Sequence, residues 1–146
     1  MAEVAVPRNA GSFPGEVYVA EGTLTVAAAE TTATWTSKTA YSGEVVRVEI
    51  DPGAALTASA TLKGYEAGTA LATGTRMHFL NYTVPNPAVE RQFVPLVAAT
   101  TNAGVAVTYA LDMPIYVPIA VSGKLKVDLA SATAADSVTV RIYVKA

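Results

Sequence analysis

The chain has no cysteine among its 146 residues. That excludes a disulfide framework, a thiolate zinc site, an iron–sulfur cluster and a cysteine nucleophile. One histidine, His78, leaves no second imidazole for a multi-histidine metal site. Charge is scarce: 10 Lys and Arg against 12 Asp and Glu give a net charge of −2, and charged residues make up 15% of the chain. No basic face is clustered enough for the counterion release on which nucleic-acid binding depends. The mean hydropathy of +0.35 comes from small side chains. No apolar run approaches the ~18–20 residues of a membrane-spanning helix, so neither nucleic acid nor membrane is an expected partner. The first residues, Met1 to Asn9, carry an acid early and no apolar core, which is not the pattern of a secretion signal; synthesis in a cytoplasm is the expectation.

What is present is small and β-forming: 28 Ala, 20 Val and 18 Thr against nine Leu and four Ile. The length suits one domain. From Glu16 onward the hydrophobic period is two. Val46, Val48 and Ile50 alternate with Val45, Arg47 and Glu49; Leu125, Val127 and Leu129 alternate with Lys124, Lys126 and Asp128; Val138, Val140, Ile142 and Val144 alternate with Thr139, Arg141, Tyr143 and Lys145. Each run predicts a strand with one buried and one wet face. Further strands are expected over 17–20, 23–28, 33–39, 58–63, 75–81, 105–111 and 115–120. Turns are expected at Glu21-Gly22, Asp51-Pro52-Gly53, Lys63 to Gly68 and Ser122-Gly123. Residues 27–30 and 130–135 have the alanine content for a helical turn or two. Many short strands predict an all-β fold, a single antiparallel barrel or sandwich of jelly-roll or tulip-like kind.

Residues 1–15 stand apart. Pro7, Gly11, Pro14 and Gly15 break both helix and inner strand, so the stretch reads as an extended N-terminal arm before a β-domain at 16–146. The arm either frays or orders on a neighbour by adding hydrogen bonds to an open sheet edge. The second irregular stretch, Asn81 to Leu96, contains Pro85, Pro87 and Pro95 together with Val84, Val89, Phe93 and Val94. Those apolar residues are expected to pack, either on the domain's own core or on another subunit.

Reactive constellations are missing. No G-x-S-x-G elbow occurs, and Ser122-Gly123-Lys124 lacks the glycine spacing of a phosphate loop and opens a strand. Glu49, Asp51 and Asp112 are the acids open to nomination for acid–base chemistry, but Glu49 is expected on a solvent face and Asp51 in a turn. His78 is expected to be a packing or surface residue. The expectation is a protein that is not an enzyme and carries no cofactor and no metal. Trp35 and the seven tyrosines leave a sugar-stacking platform open. A face of Ala, Val and Thr suits a charge-depleted, permanent interface, and the low Asn, Gln and Met content fits selection for heat resistance.

The C-terminal half, Val105–Leu111, Met113–Ile119, Gly123–Val127 and Ser137–Val144, resembles small all-β proteins of tailed-phage head genes, and Tyr41–Gly53 looks like their first core strand and turn. The resemblance is to the capsid auxiliary (decoration) proteins of long-tailed phages infecting thermophilic bacteria. It implies a homotrimer on the outer surface of the expanded capsid, at local three-fold positions, clamping the major capsid protein against internal DNA pressure. The location it implies is the virion. The arm would reach neighbouring copies of the same protein. Contacts are placed on Val4, Val6, Pro7 and Phe13 of the arm and on Pro85, Pro87 and Phe93 of the loop. A receptor- or glycan-binding β-module of a phage fibre or tail is the alternative.

Overall fold

The structure is a computed structural model. It describes residues 15–52, 56, 59–68, 78–84, 91–98, 108–109, 113–114 and 116–146. The described elements are all strands: β1 (Val17–Thr25), β2 (Ala33–Asp51), β3 (Ala60–Glu66), β4 (His78–Val84), β5 (Arg91–Phe93), β6 (Leu96–Ala98), β7 (Thr108–Tyr109), β8 (Met113–Pro114), β9 (Tyr116–Ala130) and β10 (Ser137–Lys145). One antiparallel sheet runs β1-β10-β2-β9-β3-β4, with β5 added to β2 and β6 to β9; β7 and β8 form a separate pair. The all-β antiparallel expectation therefore holds. The sheet is not closed, and the architecture is that of a sandwich.

Two long strands make the two layers. The C-terminal half of β2, from Glu44, pairs with β10, whereas Ala33–Val45 pairs with β9. β1 is no ladder neighbour of β2, yet Trp35 of β2 lies directly over Gly22 of β1. The sheet thus folds over itself along β2. The fold-over buries one face of every long strand: Ala20 and Leu24, Val48 and Ile50, Leu62, Leu125 and Val127, and the whole run Val138, Val140, Ile142 and Val144.

β-Bulges keep this face inward. Tyr143 opposes Arg47 but Val144 opposes Val45, so Val46 is extra. A residue inserted this way flips the alternation. Val45 is buried and Val46 is pushed half out, opposite to the simple alternation read from the sequence. A second irregularity spans Ser37 to Thr39, which face the single residue Leu125. There the buried Ser37 hydroxyl donates to the Thr39 carbonyl at 2.7 Å and accepts the Leu125 N–H at 2.9 Å, standing in for a missing ladder partner. Ser37→Ala orphans that amide, at a cost of about 1–3 kcal/mol. Its melting temperature is expected to fall by roughly 3–8 °C. The same change at the exposed Ser42 is expected to leave the melt unmoved.

Several expected turns are strand interiors. β1 runs through Glu21-Gly22, β9 through Ser122-Gly123, and β3 continues to Glu66, leaving only residues 67 and 68 of that loop as turn. Gly22 is required because a Cβ would enter the Trp35 indole, whereas at Gly123 a Cβ would meet only the flexible Glu66 side chain. The alanine-rich stretches are turns, not helix. Ala29, Ser131 and Ala135 have φ of 65°, 58° and 72°, which no right-handed helix admits. Asp136 ties the second turn by accepting the Thr133 N–H on its carboxylate at 2.9 Å.

Candidate binding surface

Several charged side chains pair across the sheet: Arg141 with Glu21 and Glu49, Arg47 with Glu49, and Lys126 with Asp128. Across the outer face of β1, β10 and β2, directly opposed residues form a row: Glu21, Arg141, Glu49. Arg141 Nε lies 2.5 Å from Glu21 and its Nη1 lies 3.9 Å from Glu49. The hydrogen bond that Arg141 donates to the Glu21 carboxylate raises the Arg141 pKa above its ordinary value. Glu49 also accepts the Tyr143 hydroxyl at 2.9 Å and sits 3.3 Å from Arg47, whose guanidinium stacks on the Tyr143 ring at 3.9 Å. Glu49 is therefore a half-buried network residue rather than a solvent-facing acid. On the second layer, Tyr65 donates its hydroxyl to Asp128, which also accepts from Thr34 at 2.9 Å. Among the described residues no group of three or more His, Asp or Glu has metal-binding geometry.

His78 opens β4 and meets the Tyr65 ring edge to face at 5.7 Å. Asp51 ends β2, opposite Thr139. Trp35 is half-buried against the core, with Gly22 under its ring, so the indole is engaged in packing the two layers. Asp112 lies outside the described residues.

Apolar surface is concentrated at one end. β6 pairs with the first residues of β9, Leu96 with Pro118 and Ala98 with Tyr116. There Tyr116, Val117 and Pro118 are exposed in succession, so this piece of strand is covered on neither face. Val94 is 66% exposed, Tyr116 59% and Leu96 49%. Beside them a cleft of about 320 Å³ separates β4 from the β5–β6 segment, with Leu80, Tyr82, Phe93, Leu96 and Ile119 among its walls. Phe93 pairs through its backbone with Val48 and packs on Tyr82 at 4.7 Å between ring centroids. It is half-buried against the core and bridges the open side of the sheet.

Of the residues placed at a partner contact from sequence, only Phe93 falls within the described structure, on the wall of this cleft. Val4, Val6, Pro7, Phe13, Pro85 and Pro87 lie outside the described residues. Leu96, Tyr116 and Val117 were not singled out. The available signal was the near-absence of charge from Val94 to Pro118, where Asp112 is the single charged residue. No helix among the described residues is long and apolar enough to cross a membrane. Comparison with known protein families, with curated proteins and with solved structures finds no match to this chain.

Proposed function

We propose that this chain is a structural binding protein: a capsid auxiliary protein that seats as a homotrimer on the outside of an expanded phage capsid. There it holds neighbouring copies of the major capsid protein together against the pressure of packaged DNA. The observation that carries the reading is the uncovered, uncharged surface of Val94, Leu96, Tyr116 and Val117 at one end of the sheet. Interface cores are depleted in charge and enriched in aromatic residues, and contiguous exposed apolar surface marks interaction sites. The capsid as partner comes from the resemblance in strand and glycine pattern.

The mechanism is mass action. A protein that binds only the expanded shell stabilises it by its binding free energy. Three linked contact surfaces multiply the effect through effective concentration. The test is sedimentation with purified shells. The native protein is expected to pellet with expanded shells and to stay in solution with unexpanded ones, whereas Leu96→Asp/Val117→Asp stays in solution with both. Equal pelleting of native and double variant overturns the reading. Light scattering of the free protein at micromolar concentration is expected to give three times the chain mass; a monomer counts against the trimer. The fibre-module alternative predicts glycan binding lost on Trp35 substitution, and the packing of that indole on Gly22 favours the capsid reading over it.

A further inference from the structure

Among the described residues, five large apolar side chains stand exposed: Val17, Val94, Leu96, Tyr116 and Val117. Four of them form the surface at the β6 end of the sheet. Val17 stands apart, at the start of β1, where it borders a cleft of about 330 Å³ with Val46, Arg47 and Tyr143. Val46 reaches this cleft because its bulge turns it half outward. The Arg47 guanidinium lies on the Tyr143 ring at 3.9 Å, yet its side chain keeps 44% of its surface exposed. Tyr143 covers one face of the guanidinium, and the other has room for a second ring.

The cleft and Tyr116 lie on one continuous face. Val17 is opposite Lys145, Lys145 opposite Glu44, and Glu44 opposite Ala120. Tyr116, Pro118 and Ala120 are alternate residues of β9, all exposed, and so share that face. Three strand spacings of ~4.8 Å put Ala120 about 15 Å from Val17, and Tyr116 lies further along β9. The ring is therefore out of reach of its own chain's cleft.

We propose that the cleft takes the Tyr116 ring of a second copy of this chain. Val17 and Val46 give the ring apolar walls, and the open guanidinium face of Arg47 attracts its π-electrons. The tyrosine hydroxyl is left at the rim, where Lys145 stands opposite Val17. Tyrosine and arginine are the residues that dominate binding energy at interfaces. A knob and a hole at different places on one molecule make a head-to-tail contact, which closes into a ring or runs on as a filament. Here both lie on one face rather than on opposite sides, which turns successive subunits towards a common axis and favours a small ring. The cleft beside β4 suits a different assembly. Leu96, a neighbour of Tyr116 on the exposed surface, is one of its walls, and its described walls hold no Arg or Lys. A knob next to its own hole is exchanged between two copies about a two-fold axis. The inference rests on the homotrimer of the proposed function and names its contact, leaving Val117, on the opposite face of β9, to the shell.

Light scattering and crosslinking of the full chain test it. Tyr116→Ala and Val17→Asp, both at exposed positions, are each expected to weaken the contact roughly thirtyfold. Each is expected to fall to the single-chain mass at micromolar concentration with a native circular dichroism spectrum, whereas Tyr116→Phe keeps the native mass. In this cysteine-free chain, Pro118→Cys/Lys145→Cys treated with a short bismaleimide is expected to give three linked chains on a denaturing gel, and either single variant none. The contact is overturned if Tyr116→Ala and Val17→Asp keep the native mass or if the double variant gives no linked chains. Linked dimers from a single-cysteine variant, the mark of a two-fold exchange, also overturn it, as does a ladder running past three chains, the mark of a filament. Any of these in a native trimer leaves the capsid reading standing, whereas a native monomer overturns the trimer and this contact together.

Discussion

Val140→Asp is expected to abolish folding. Val140 is fully buried in the central strand β10, with Gly22 of β1 and Ile50 of β2 directly opposite it. A carboxylate there has apolar surroundings, and burying an unpaired charge costs several kcal/mol even after its pKa shifts to neutralise it. Domains of this size have only roughly 5–15 kcal/mol to lose. The variant is expected to show no cooperative melt and no fixed aromatic signal in near-ultraviolet circular dichroism. The adjacent Arg141→Ala removes a half-exposed cation from a row that still holds Glu49 through Arg47 and Tyr143. Its cost is about 1 kcal/mol or less. Superimposable melts for the two variants would show that β10 has the opposite face inward.

The second large effect is at Gly43. Its φ is +150°, and a Cβ built there would enter the Lys145 carbonyl, a main-chain group that cannot rotate away. Gly43→Ala must therefore strain its own backbone and displace the end of β10, where Lys145 pairs with Val17 and Glu44. Strain of this kind costs about 1–3 kcal/mol before any lost hydrogen bonds are counted. A fall in melting temperature of roughly 5–15 °C is expected by differential scanning calorimetry. Gly68, with φ of +76° and open space around it, is the control. Gly68→Asn, a residue that tolerates the left-handed region, is expected to change the melt by no more than a few degrees.

The parts of the fold legible in the sequence are those where strand and ladder stay regular. Val138, Val140, Ile142 and Val144 alternate in sequence and are all buried, as are Leu125, Val127 and Leu129. Legibility fails where the deciding contact is distant. Nothing near Val46 announces a bulge, because the residue it evades, Val144, is almost a hundred positions away. Gly22 and Gly123 read as turn residues because glycine usually marks turns. For Gly22 the actual cause, the Trp35 ring, lies on another strand. For the surface, proline spacing drew attention to Asn81–Leu96, and Phe93 does line the cleft. The exposed partners on β9 escaped notice because a Tyr-Val-Pro run looks like any buried strand until its covering layer proves to stop short.

β10 lies between β1 and β2, so the ribbon joining Val17 to Lys145 unites segments more than a hundred residues apart in the chain. During synthesis, β1 and β2 emerge long before the strand that separates them. Until residues 137–145 leave the ribosome, both carry bare edges of valine and threonine, the kind of surface that pairs with other nascent chains. Completion of the sheet thereby waits for residues 137–145 to emerge and is slow, as for other topologies of long sequence separation. A premature stop anywhere before Ser137 would yield an aggregating product rather than a shortened domain.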